Sequence, residues 1–198
     1  MANKVITISR QYGSGGREIG ERLAEALGVE FFDNKLLEVA AKDSGIHQSH
    51  FEENDEKRSN SLLYLLSTAY GQGGVPFDDS LFFAKLEAIR KIASEESCVI
   101  MGRCSDYALK DFSNVLNVFI SAPFEARVKR AEEVYGITAK HSADYVKRID
   151  KQRTSYYNYY TDKRWGQPQN YHLCIDSTAL GIEGTTAAII RFANEFFK

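Results

Sequence analysis

The chain has 198 residues, 43% of them hydrophobic and 26% charged, enough for a buried core and unlike a disordered segment. A formal net charge of -2 argues against a general nucleic-acid binder, and no apolar run approaches the length of a membrane span. Cys98, Cys104 and Cys174 are odd in number and far apart, which suits reduced thiols rather than a disulfide framework or a metal knot; a cytoplasmic protein with neither nucleic-acid nor membrane partners is expected.

In chain order, apolar β-rich runs alternate with helical patterns, the mark of a mostly parallel sheet with crossover helices. Strands are predicted over 5–9, 30–32, 98–101, 116–121 and 171–175. Helices are predicted over 18–27, ended by Gly28, then 36–43, 80–94, 123–134 with Pro123 in its first turn, 142–159 and 182–197. Residues 46–79 break this rhythm and read as a small inserted subdomain within a single domain spanning 1–198, with a lid region over about 136–168.

The first strand runs directly into Gly13-Ser14-Gly15-Gly16-Arg17-Glu18 and then into a helix. Glycines permit backbone dihedrals that a Cβ forbids, so successive N–H groups can converge on an anion, and the helix adds the positive end of its dipole. Laid over the P-loop pattern Gly-x-x-x-x-Gly-Lys-Ser/Thr, residues 11–18 put Gln11 at the first glycine, Gly16 at the second, Arg17 at the lysine and Glu18 at the hydroxyl. Arginine brings a full charge with a different reach, and a glutamate cannot supply the hydroxyl that normally meets Mg²⁺. Close packing alone also produces glycine-rich turns between strand and helix.

In open α/β sheets, ligands sit beyond the carboxyl ends of the strands. Those positions are polar here: Asp33 follows the second strand, Gly102, Arg103 and Asp106 follow the third, and Ser121 closes the fourth. Arg103 would project into the crevice of the glycine loop. Arg127 and Arg130, three apart, share a helix face, and Lys147, Arg148, Lys151 and Arg153 crowd the next helix. Such cations either close over phosphate or form a solvated face paired with Glu132, Glu133, Asp144 and Asp150. The tyrosines of 156–160 read as packing for a lid helix, and His172 as structural.

Together, the glycine loop, Phe31-Phe32-Asp33, the segment 99–106, the 118–122 strand followed by arginines, and Ile175-Asp176-Ser177 resemble the cytidylate kinase-like family of nucleoside monophosphate kinases. The resemblance implies a three-layer α/β P-loop NTPase fold, with about five parallel strands, helices on both faces, a helical insert and an arginine-bearing lid. It implies ATP as donor with Mg²⁺, donor phosphates on Gly13, Ser14, Gly15, Gly16, Arg17 and Glu18, and catalysis by Arg17, Arg130 and Arg153. Asp33, Arg103, Asp106, Arg127, Arg148 and Lys151 fall on the acceptor side or the lid; Cys104 stands where the cytidylate kinases carry the aspartate that helps read cytosine.

The expected chemistry is phosphoryl transfer to a CMP- or dCMP-like monophosphate or a related phosphate acceptor, in which positioning and charge neutralisation do most of the catalysis. Two rivals stay open. One is a nucleotide-binding sensor that has lost turnover. The other is a dinucleotide-binding oxidoreductase, for which Asp33 stands at the right distance but Glu18 occupies the third glycine position of Gly-x-Gly-x-x-Gly. Acceptor, metal ligands and oligomeric state are not specified by these residues.

Overall fold

The computed structural model describes residues 3–33, 79–102 and 104–198. The predicted helix at 36–43, the insert up to residue 78, and Arg103 lie outside the described residues. The chain divides into two compact units, Met1–Asp33 with Arg90–Lys198, and Asn34–Ile89. Of the second, the described part is the opening of helix α2 (Asp79–Glu95).

In the first unit, β1 (Val5–Arg10), β2 (Glu30–Phe32), β3 (Cys98–Met101), β4 (Val115–Ser121) and β5 (Leu173–Asp176) form one parallel sheet in the order β2-β3-β1-β4-β5. β1 is central, with Val5 opposite both Cys98 and Val115. A strand flanked on both sides and covered on both faces must be apolar on alternate residues and tolerably so on the rest. Ile6 and Ile8 of β1 point with Val99, Val118 and Ile120 toward α1 (Gly16–Leu27) and α6 (Ser177–Phe196), where they bury Ile19, Leu23 and Ile189 completely. The opposite face is more polar: Thr7 Oγ1 donates to Asn117 Oδ1 at 2.6 Å, and Phe119 meets Trp165 and Tyr171 at ring separations of 5.4 and 4.9 Å. His172 reads as structural here too, since its Nδ1 accepts the Asn117 N–H at 3.0 Å.

The remaining helices are α3 (Ser105–Ala108), α4 (Phe124–Glu133) and α5 (Ala139–Thr161), with a short 3-10 turn at Pro168–Asn170. α1 opens at Gly16 rather than 18, because left-handed Gly15 (φ 74°) turns the chain into the helix at once. α6 opens at Ser177, where the Asp176 carboxylate accepts the Thr178 N–H at 2.8 Å; Gly181 (φ 66°, ψ -178°) then breaks it, so the helix predicted from 182 is the second of two segments. No helix among the described residues is long and apolar enough to cross a membrane.

Candidate functional site

The loop joining β1 to α1 is held from beneath by its neighbours. The Gln11 N–H donates to the Ile120 carbonyl at 3.0 Å, the Ala122 N–H to Gln11 Oε1 at 3.2 Å, and Ser177 Oγ to the Ser14 carbonyl at 2.7 Å. Ser14 Oγ turns inward to the Gln11 carbonyl at 2.9 Å. From the side, the Tyr12 N–H donates to Asp150 Oδ1 of α5 at 2.7 Å. Gly13 takes φ 81°, and a Cβ there would fall 2.4 Å from the Arg127 carbonyl oxygen, so neither the dihedral nor the space admits another residue.

With the loop so fixed, the N–H groups of Gly13, Gly15 and Gly16 find no acceptor among the described residues. They lie at the start of a helix whose first N–H groups are unpaired by geometry and whose dipole is positive there. Such an arrangement can cradle an anion.

Arginines ring it. Arg130 Nη2 donates to Glu18 Oε2 at 2.5 Å, and Nε and Cζ lie 3.5 Å from the position a Gly15 Cβ would take. Its Nε is buried without a partner among the described residues, a donor left facing the loop. Burial works against the Arg130 charge, but hydrogen bonds to Tyr135 and Glu18 outweigh it and hold its pKa above the ordinary value. Glu18 also accepts from Arg22 Nη2 at 2.9 Å. Arg17 runs outward along α1, its Nε 2.9 Å from Glu21 Oε1 and its Nη1 3.7 Å from Asp33 Oδ2. Arg153 Nη1 donates to the Arg10 carbonyl at 2.7 Å, with its guanidinium 5.7 Å from the Tyr12 ring centroid. Burial lowers the Arg153 pKa, against the pull of Asp150.

Arg127 is engaged differently. Its side chain is 8% exposed, its Nη1 meets Asp150 Oδ2 at 2.5 Å and the Tyr12 carbonyl at 3.2 Å, and its Nε meets the Ala122 carbonyl at 3.0 Å. This residue and Asp150 clamp α4, α5 and the loop together. The Arg148 guanidinium stacks 5.0 Å from the Tyr145 ring, with Nε buried and without a partner among the described residues, while Lys151 is exposed.

Asp106 bonds to a phenol and to none of these arginines. On α3 it is 6% exposed; Tyr157 O–H donates to its Oδ2 at 2.6 Å, and its Oδ1 has no partner among the described residues. Burial raises its pKa above the ordinary 3.8, with the Tyr157 bond and Lys163 pulling the other way. A carboxyl raised in the folded state contributes stability below 3.8 that is lost as pH rises through its folded pKa. Asp106→Asn, which carries no charge, should therefore gain stability relative to the parent between pH 4 and pH 8; equal melting differences at the two pH values would refute the raised pKa.

Sequence reasoning passed over Arg10 and Tyr12, and read Asp150 only as a partner on a solvated basic face, whereas it is bonded to Arg127 and to the Tyr12 N–H. Tyr12 packs on Tyr135 and Tyr145 with ring separations of 5.5 and 5.4 Å, and burial pushes its phenol up to about 12. The available signal was adjacency alone: Arg10 and Tyr12 flank the glycine cluster on its strand side. A groove of about 430 Å³ at the amino-terminal edge of the sheet, lined by Asn3, Val5, Phe112 and Asn114, contains none of the candidate residues. Glu18 and Asp33 supply carboxylates at the mouth of the loop, and among the described residues no group of three or more His, Cys, Asp or Glu could hold a metal ion.

The fold recurs in solved structures. A protein of Eubacterium ventriosum ATCC 27560, described only as uncharacterized, is 27% identical over 97% of this chain and 99% of its own, with a TM-score of 0.75. The shikimate kinase of Acinetobacter baumannii, solved with shikimate, is 14% identical (98% of this chain, 94% of that one, TM-score 0.54), and a gluconokinase of Sinorhizobium meliloti 1021 is 17% identical (98% and 95%, TM-score 0.55). At that identity these two show a shared fold alone. No curated protein matches the chain. The family model described as cytidylate kinase-like matches residues 5–179, nearly the whole chain, and the protein belongs to that family.

Proposed function

We propose that this protein transfers a phosphoryl group from ATP to a nucleoside monophosphate of the CMP or dCMP type, or to a related small phosphate acceptor. The observation that carries this reading is the cradle: amides of Gly13, Gly15 and Gly16 without acceptors among the described residues, faced by an unpartnered Arg130 Nε. The donor's phosphates bind there, with Ser14 shaping the loop and Arg17 turning from Glu21 to the phosphates once they arrive. Arg130 neutralises charge on the transferred group, and Arg153 holds the loop's entry in place beside it. Asp33, Asp106, Arg103, Arg127, Arg148 and Lys151 belong to the acceptor side and lid; Arg127 acts there by fixing the loop, and Asp106 by its buried bond to Tyr157.

Mg²⁺ fits this site as a companion of the phosphates rather than as an ion caged by protein, since such an ion typically keeps its waters and takes one or two carboxylates, here Glu18 and Asp33. When bound it would neutralise phosphate charge.

A coupled assay for ADP formation over CMP, dCMP, UMP, AMP, shikimate and gluconate, with Mg²⁺ or Mn²⁺, tests the reading. Turnover with a monophosphate and its loss in a folded Arg17→Ala protein are expected; near-parent turnover in that variant would remove Arg17 from catalysis. A second reading, a nucleotide sensor, is favoured by the Glu18 carboxylate, which already engages Arg130. ATP binding with no ADP formed across the whole panel would select it.

A further inference from the structure

Two glycines, one opening α1 and one following β3, are cleared for one arginine. A Cβ built on Gly16 would lie 2.7 Å from Arg10 Cβ and 3.0 Å from its Cγ. A Cβ on Gly102, the residue after β3, would lie 2.3 Å from Arg10 Nη1. The Arg10 stem therefore crosses the space that a side chain at position 16 would fill, and its guanidinium reaches the carboxyl end of β3, inside the ligand crevice of a parallel sheet. Its carbonyl is held by Arg153, which settles where the side chain departs.

Helix geometry then revises how the P-loop pattern lies on this chain. Gly15 has the left-handed φ of 74° and caps α1, whereas Gly16 is already helical. With Gly15 as the pattern's second glycine, Arg10 takes the place of the first and Gly16 that of the lysine. The lysine's position is empty of side chain, and the space above it is occupied by a cationic chain arriving from the end of β1. Arg17, 60% exposed in its side chain and bonded to Glu21, stands one place later.

We infer that Arg10 supplies the phosphate-facing charge that a P-loop lysine supplies elsewhere, its stem lying over Gly16 and its guanidinium binding the terminal phosphates of a nucleoside triphosphate. This rests on the nucleotide reading above. It also explains why positions 16 and 102 carry no side chain: any residue larger than glycine displaces the arginine, and Gly102 adds a φ of 71°.

The test exchanges the two positions. Calorimetric binding of MgATP is measured for the parent, for Arg10→Met, for the double variant Arg10→Gly/Gly16→Lys, and for Arg10→Gly/Gly16→Gln, which has similar packing without the charge. Removal of a charge-assisted hydrogen bond to the phosphates predicts that Arg10→Met and the glutamine double variant bind about 10–100-fold more weakly than the parent, while the lysine double variant returns to within about tenfold. Parent-like affinity in Arg10→Met, or equal affinity of the lysine and glutamine double variants, overturns the inference and leaves the nucleotide reading standing. A parent that binds no MgATP overturns both. Should Arg10→Met fail to fold, the two double variants decide the matter between themselves.

Discussion

Asp150→Ala is expected to lose about 3–5 kcal/mol of stability, because it strands a buried guanidinium. The side chains of Arg127 and Asp150 are 8% and 17% exposed, so water cannot replace the missing carboxylate at Arg127, and the Tyr12 N–H loses its acceptor as well. Arg127 also holds the Tyr12 and Ala122 carbonyls, so its displacement loosens the loop that carries Gly13. For a domain of this size the loss corresponds to a melting temperature lower by roughly 6–20 °C. Asp144→Ala, an exposed carboxylate on the same helix, is the control and should change stability by no more than about 0.5 kcal/mol. Calorimetric melting of the two variants decides: an Asp150→Ala protein as stable as the control would show that the clamp contributes nothing.

Arg130→Met is expected to slow phosphoryl transfer by about 10³–10⁵, the range for removal of an arginine that meets transition-state charge. Stability should barely change, since the ion pair it breaks with Glu18 is 23% and 38% exposed and such pairs contribute about 0–1 kcal/mol. Arg130→Lys should recover little of the rate, because a point-like ammonium cannot keep Glu18 and face the loop with the same planar fork. Single-turnover kinetics at saturating ATP, alongside a melting curve, separates the two effects. Transfer within tenfold of the parent would remove Arg130 from the chemistry and strengthen the sensor reading.

Much of this molecule was legible before any coordinates. Period-two runs such as Val5-Ile-Thr-Ile, separated by helix-length segments, imply a parallel α/β sheet because burial on both faces and the crossover requirement leave few alternatives. The glycine cluster foretells a tight strand-to-helix turn because glycine adopts the dihedrals seen at positions 13 and 15 without strain. Element ends were less legible: α6 opens at Ser177 through an Asp176 cap and breaks at Gly181, and a period-based reading registers only the segment after the break.

Composition, periodicity and glycine placement thus determined the architecture and the place of the tight turn between β1 and α1, since these depend on local backbone preference and on which residues must leave water. Partnership among the charged residues was decided only in three dimensions. Along the chain, Arg127 and Arg130 are equivalent neighbours on one helix face; folded, one is sealed against Asp150 and the other faces the loop beside Glu18. Arg10 looks like the end of a strand until α1 and β3 close around it and leave two glycines' worth of space for its side chain. A charged side chain takes its role from the desolvation and the partners it meets at long sequence separation, and no local pattern encodes those.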